Sequence, residues 1–133
     1  MNPAPHSFHR PAVVAGMFYP ASTRELAGEV GSLLAQADAA AATSASPSLP
    51  PKALIVPHAG YIYSGPIAAS AYACLAPLRK TIRRVVLLGP THRVPVRGLA
   101  TSSADAFDTP LGSVPLDAAL REAVLHSPHV RIS

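Results

Sequence analysis

The chain has no tryptophan and few other aromatic residues, three phenylalanines and four tyrosines, so its interior falls to Val, Leu, Ile and Ala. Its one cysteine, Cys74, excludes an internal disulfide and fits a reducing, cytoplasmic compartment. No apolar run approaches the length that spans a bilayer. The apolar stretch from Ala12 to Phe18 is short, follows three prolines and is broken by Gly16, so it is not expected to be an export signal. Neither G-x-G-x-x-G nor a Walker A pattern occurs, so the usual glycine-rich phosphate cradles are missing. Acidic residues are also scarce, seven against eleven basic, for a mild formal charge of +4. Arg79, Lys80, Arg83 and Arg84 have no interleaved aromatics and read as a solvated helix end rather than a nucleic-acid surface.

What remains is an apolar chain of 133 residues, 49% hydrophobic and with fifteen prolines, sized for one α/β domain. Residues 1–9 read as a flexible arm in which His6 and His9 are solvated. The block 10–20 is an extended segment ending in a turn. Ser22 and Glu25 form a capping box ahead of a helix over about 22–38, with Leu26, Val30, Leu33, Leu34 and Ala37 on its apolar stripe. Residues 39–51 reduce almost entirely to Ala, Thr, Ser and Pro, which predicts a mobile loop inside the domain.

Two short apolar runs carry the organisation. Ala53–Pro57 and Arg84–Gly89 each read as a strand buried on both faces, joined by a helix over 66–78 that starts at the Gly65-Pro66 pair. Ile67, Ala71, Cys74, Leu75 and Leu78 form that helix's stripe, with Cys74 a small buried hydrophobe. The result is a parallel β-α-β crossover in a layered sheet with flanking helices. His58 and His92 each stand just past the carboxyl end of one predicted strand, where open α/β sheets bind ligands. Strand ends about 5 or 10 Å apart let two such imidazoles converge on one ion. Downstream come a short strand after Val94, a Pro-Leu-Gly turn at 110–112, and a helix over 116–126 with Asp117 near its start. A last strand begins at Val130. His126 suits the helix's last turn, and neither it nor His129 is read as a ligand.

Four ordered blocks give these features a family context. They are Arg10-Pro-Ala-Val-Val-Ala-Gly-Met-Phe-Tyr-Pro20, Pro57-His-Ala-Gly-Tyr-Ile-Tyr-Ser-Gly65, Gly89-Pro-Thr-His92 and Phe107-Asp-Thr-Pro-Leu-Gly-Ser-Val114. Together they closely resemble the Memo family, known in prokaryotes as AmmeMemoRadiSam system protein B. Members of that family continue for about as long again, so residues 10–133 are expected to be the amino-terminal part of a single Memo-like domain.

The resemblance implies a fold similar to class III extradiol ring-cleavage dioxygenases and a divalent metal, Fe, Cu or Zn, for which two neutral imidazoles are suitable donors. His58 and His92 would be metal ligands. Tyr61, Tyr63, Ser64, Thr91 and Thr109 would lie in the pocket or behind the ligands, with the Pro-Leu-Gly turn near the site's mouth. A hairpin or crossover turn with no ligand contact is the alternative for that turn. No catalytic residue is assigned. The implied function is a metal-binding, dioxygenase-like redox scaffold with a small-molecule substrate; the alternative is a non-catalytic metal-binding or protein-interaction module. Because further ligand positions belong to the part of the family not covered, this chain is expected to hold metal weakly, to be inactive alone, and to associate through an exposed sheet edge. No nucleic-acid or membrane partner is expected.

Overall fold

A computed structural model describes residues 7–41 and 51–133. Along the chain lie β1 (His9–Arg10), α1 (Thr23–Ala41), α2 (Tyr61–Ala73), a 3-10 turn (Ala76–Leu78), β2 (Leu99–Thr101), β3 (Ala106–Thr109), β4 (Gly112–Pro115), α3 (Ala118–Leu125) and β5 (Val130–Ile132). They divide into two compact units. One is Val13–Arg83, and the other joins the residues up to Ala12 with Arg84–Ser133.

The Val13–Arg83 unit is helical. Gly16, at φ +80°, takes a left-handed turn that closes with Gly16 N–H donating to Tyr19 O at 2.8 Å and Phe18 N–H to Val14 O at 3.0 Å. Ser22 Oγ then accepts a long 3.4 Å bond from Glu25 N–H, and α1 begins. Its inward face is Leu26, Val30, Leu33, Leu34 and Ala37, the stripe expected from the sequence. The helix runs to Ala41, three residues past the expected end, and residues 42–50 of the predicted loop lie outside the described residues. α1 packs on α2 through the small side of α2: Ser64, Gly65 and Ala69 are buried, and a Cβ on Gly65 would stand 2.9 Å from Leu33 Cδ1. This corrects the predicted stripe, since Ile67 is exposed. Close approach, rather than branched side-chain bulk, sets this interface.

The second unit is built from short strands. β1 lies parallel to β3 with His9 opposite Ala106 and Arg10 opposite Phe107, and β3 returns antiparallel as β4. β2 pairs in parallel with β5, Leu99 opposite Val130 through Thr101 opposite Ile132. α3 packs beside β5. Its N-cap is Asp117, whose carboxylate accepts Leu120 N–H at 3.0 Å and a 2.6 Å bond from Arg84 Nε. Arg121 crosses to the start of β3, donating to Ala104 O at 2.5 Å and Ser102 O at 3.4 Å. Ala104 and Ala106 are the buried centre. In the Val13–Arg83 unit the buried hydrophobic residues are Leu26, Ala37 and Ala69, so in each unit described burial falls chiefly to alanine rather than branched residues.

Three expectations require correction. Residues 53–57 and 84–89 are not strands: among the described residues nothing pairs with either run, Ile55 is fully exposed and Val85, Val86, Leu87 and Leu88 are 71–80% exposed. The crossover expected between them is therefore not formed. An apolar run states a demand for burial, but a strand needs a neighbour to take its N–H and C=O groups. Second, α2 begins at Tyr61 and holds Pro66 inside it. Pro66 is the sixth residue of α2, so its missing N–H forgoes the bond to Ile62 O that another residue there would make. Third, His9 is not part of a free arm, since it belongs to β1 and bonds Asp108.

Gly98 (φ +82°) enters β2 with its Cα facing His129 O, 2.5 Å from where a Cβ would be. Gly98→Ala is expected to cost at least about 2 kcal/mol, combining left-handed strain with a clash against rigid backbone. Urea unfolding would check this, and an unchanged midpoint would contradict the close approach.

The bond from Leu120 N–H, with Arg84 and Ala119 N–H adding, holds the Asp117 carboxyl below the usual carboxylate range. A depressed folded value contributes stability above the unfolded value, about 3.9, and loses it as pH falls further. Asp117→Asn, which keeps a cap without the charge, is therefore expected to flatten the stability loss below about pH 4. Thermal melts across that range would test it.

Candidate functional site

The first family block and the second meet in the Val13–Arg83 unit. Tyr61 N–H donates to Phe18 O at 2.8 Å, and any side chain at Gly60 would press on Phe18 Cδ1 at 3.3 Å. Gly60, the N-cap of α2, supplies no side-chain cap. Ser64 compensates in part, because its buried hydroxyl accepts Ala59 N–H at 2.9 Å and pins the residue after His58 to the first turn. His58 itself is exposed, directly before this pinned turn, and has an interaction partner of its own.

The two tyrosines differ. Tyr61 is half-buried, its ring 5.7 Å from that of Tyr19 at a 46° tilt, whereas Tyr63 is exposed. Burial pushes the Tyr61 phenol up, with Tyr19, Glu29 and Tyr72 adding in the same direction. Without a metal it is therefore a neutral hydroxyl near neutral pH, able to donate a hydrogen bond.

His92 and Thr91 belong to the other unit, in an exposed irregular stretch between Arg84 and Leu99, and His92 too has a partner. Thr109 closes the β3–β4 hairpin, donating from Oγ1 to Gly112 O at 2.8 Å and accepting Leu111 N–H at 3.1 Å. The Pro-Leu-Gly turn is thus a hairpin turn with Gly112 at φ +127°, and the Thr109 hydroxyl is committed to it. Cys74 is half-buried, its Sγ 3.5 Å from Ser70 O.

One cluster departs from the sequence reading, in which His9 is solvated and Asp108 and Ser113 have no role of their own. His9 Nδ1 lies 3.1 Å from Asp108 Oδ1, and Ser113 Oγ donates to the same oxygen. Arg10 sits over the Phe107 ring at 5.4 Å. No short-range signal announces the cluster, because β1 is two residues long and its partner is 97 positions away. Against a divalent ion the described residues fall short: no group of three or more His, Cys, Asp or Glu side chains is arranged to hold one. No helix of the described residues is long and apolar enough to cross a membrane.

These elements define a mixed α/β protein whose histidine-bearing and tyrosine-bearing blocks have fixed order and local geometry. The chain belongs to the Memo family: the family model described as Memo-like protein matches residues 10–133. It is 38% identical over 120 residues to the MEMO1 family protein of Aquifex aeolicus, covering 90% of this chain and 41% of that relative. Protein MEMO1 of Danio rerio is 40% identical and that of Homo sapiens 39% identical, each over 108 residues, 81% of this chain and 33% of the relative. The chain thus spans well under half the length of these curated relatives.

Ser64→Ala removes the part-buried bond that Ala59 N–H gives to the Ser64 hydroxyl and is expected to cost about 1 kcal/mol. Equilibrium unfolding measures the loss. Wild-type stability in the variant would show that the hydroxyl does not hold the turn.

Proposed function

We propose that the protein is a Memo-like metal-binding protein to which this chain contributes His58 and His92 as metal-ligating side chains, the ion being Fe, Cu or Zn. The observation that carries the proposal is that both histidines are exposed, each just beyond an apolar run, in a chain that matches the Memo family over residues 10–133. Imidazole suits all three metals, and two imidazoles are too few for tight binding, so further donors lie outside the described residues. Tyr61, as a neutral hydroxyl, is suited to orienting an imidazole or a bound oxygen. Tyr63, exposed on the same turn of α2, and Thr91, beside His92, line the approach to the ligands in this reading. Ser64 and Thr109 then act through the loops they hold and do not touch a ligand. The proposal extends to a dioxygenase-like layered organisation of the whole protein, redox chemistry on a small-molecule substrate and a cytoplasmic location.

A second reading, a non-catalytic protein-interaction module, is favoured by the exposed run Val85–Leu88, since contiguous apolar surface of this kind marks association sites. Calorimetric titration of ferrous iron, copper and zinc into the 133-residue chain is expected to show weak binding, lost in His58→Ala and in His92→Ala. Binding that both variants retain would overturn the metal assignment. Self-association or partner capture unaffected by metal, together with absent metal binding, would favour the interaction module.

A further inference from the structure

The run Val85–Leu88 lies outside every element of its unit. Its four consecutive branched side chains are 71–80% exposed, and among the described residues their backbone N–H and C=O groups make no backbone hydrogen bond. The residue before it is held in place: Arg84 Nε donates to the Asp117 carboxylate at 2.6 Å, so the run leaves from beside the capped start of α3. The run thus lacks both apolar cover and a backbone partner. Another polypeptide segment, adding as a strand, supplies the two together.

We propose that Val85–Leu88 is a docking strip for the polypeptide that Memo relatives carry outside the segment they share with this chain, a strand of which pairs with the run and buries its side chains. The shared segment is 41% of the Aquifex aeolicus relative and 33% of the human one, so more than half of each relative lies outside it. The run itself falls inside the residues that match the family. Charge disfavours a second copy of this chain as the occupant. Arg83 and Arg84 precede the run, Arg93 and Arg97 follow it, and no Asp or Glu occurs between Asp38 and Asp105. Pairing two copies along the run gathers both sets of cations around its ends, where like charges repel. The inference does not rest on metal binding by His58 and His92, and either outcome of the metal titration leaves it standing.

The test compares the 133-residue chain alone with a chimera in which it replaces its matched segment of the Aquifex aeolicus relative, each at concentrations where sedimentation shows a monomer. Hydrogen exchange at Val85–Leu88 is expected to run near the unprotected rate in the chain alone and at least about a hundredfold slower in the chimera, as for strand amides that open only with the fold. Should the chimera not fold, the matching run of the full-length relative is expected to show the same protection. In the chain alone, Leu87→Asp is expected to leave the Leu116 amide, which donates to Asp105 O at 2.8 Å, as protected as before. Loss of that protection would overturn the proposal by showing that the run is already packed within its unit. Equal exchange of the run with and without the relative's polypeptide would also overturn it. Protection that appears in the chain alone as its concentration rises would overturn it in favour of a second copy.

Discussion

Buried backbone groups must find partners, and among the described residues no strand is longer than four residues, so ladders alone cannot supply them. Side chains do the rest. Arg121 caps the carbonyls of Ser102 and Ala104, Arg131 donates to Arg97 O, Thr109 closes the hairpin on Gly112, and Ser64 takes the amide of Ala59. Apart from the Thr109 bond, which lies within the hairpin, each joins an element to a neighbouring loop rather than lengthening a sheet. Guanidinium groups are well suited to this, since one group can satisfy two carbonyls in a fixed fork.

The elements legible in the sequence are those whose cause is local. α1 is readable because a cap and a 3.6-residue apolar period sit within one stretch, α3 because Asp117 precedes its first turn, and the hairpin because Thr109-Pro-Leu-Gly112 needs only itself. The start of α2 is misleading, since Gly65-Pro66 looks like a helix entrance while Gly60 and the Phe18 carbonyl set it five residues earlier. Gly65 serves instead as the place where Leu33 comes close. β1 and its histidine stay hidden because their partners are far along the chain.

The two apolar runs show the limit of periodicity more sharply. Composition and length alone make Ala53–Pro57 and Arg84–Gly89 interior strands, and the structure leaves both irregular and unpaired. The same composition that predicts burial in a sheet therefore appears here as exposed surface. For the candidate site, the residue types are readable and their roles only partly so. Ser64 and Thr109 are engaged in local backbone bonds, Tyr61 is half-buried, and His58, Thr91, His92 and Tyr63 are exposed.

The fastening of β1 also has a kinetic side. Phe8 and Asp105 are separated by 97 positions, whereas the β3–β4 hairpin closes over a few residues. Closure entropy grows with loop length, and distant pairings form after local ones have removed alternatives. A chain made in order from its amino terminus therefore carries its first strand unpaired until the hairpin that receives it has emerged and closed. β1 is thus made long before the hairpin that receives it.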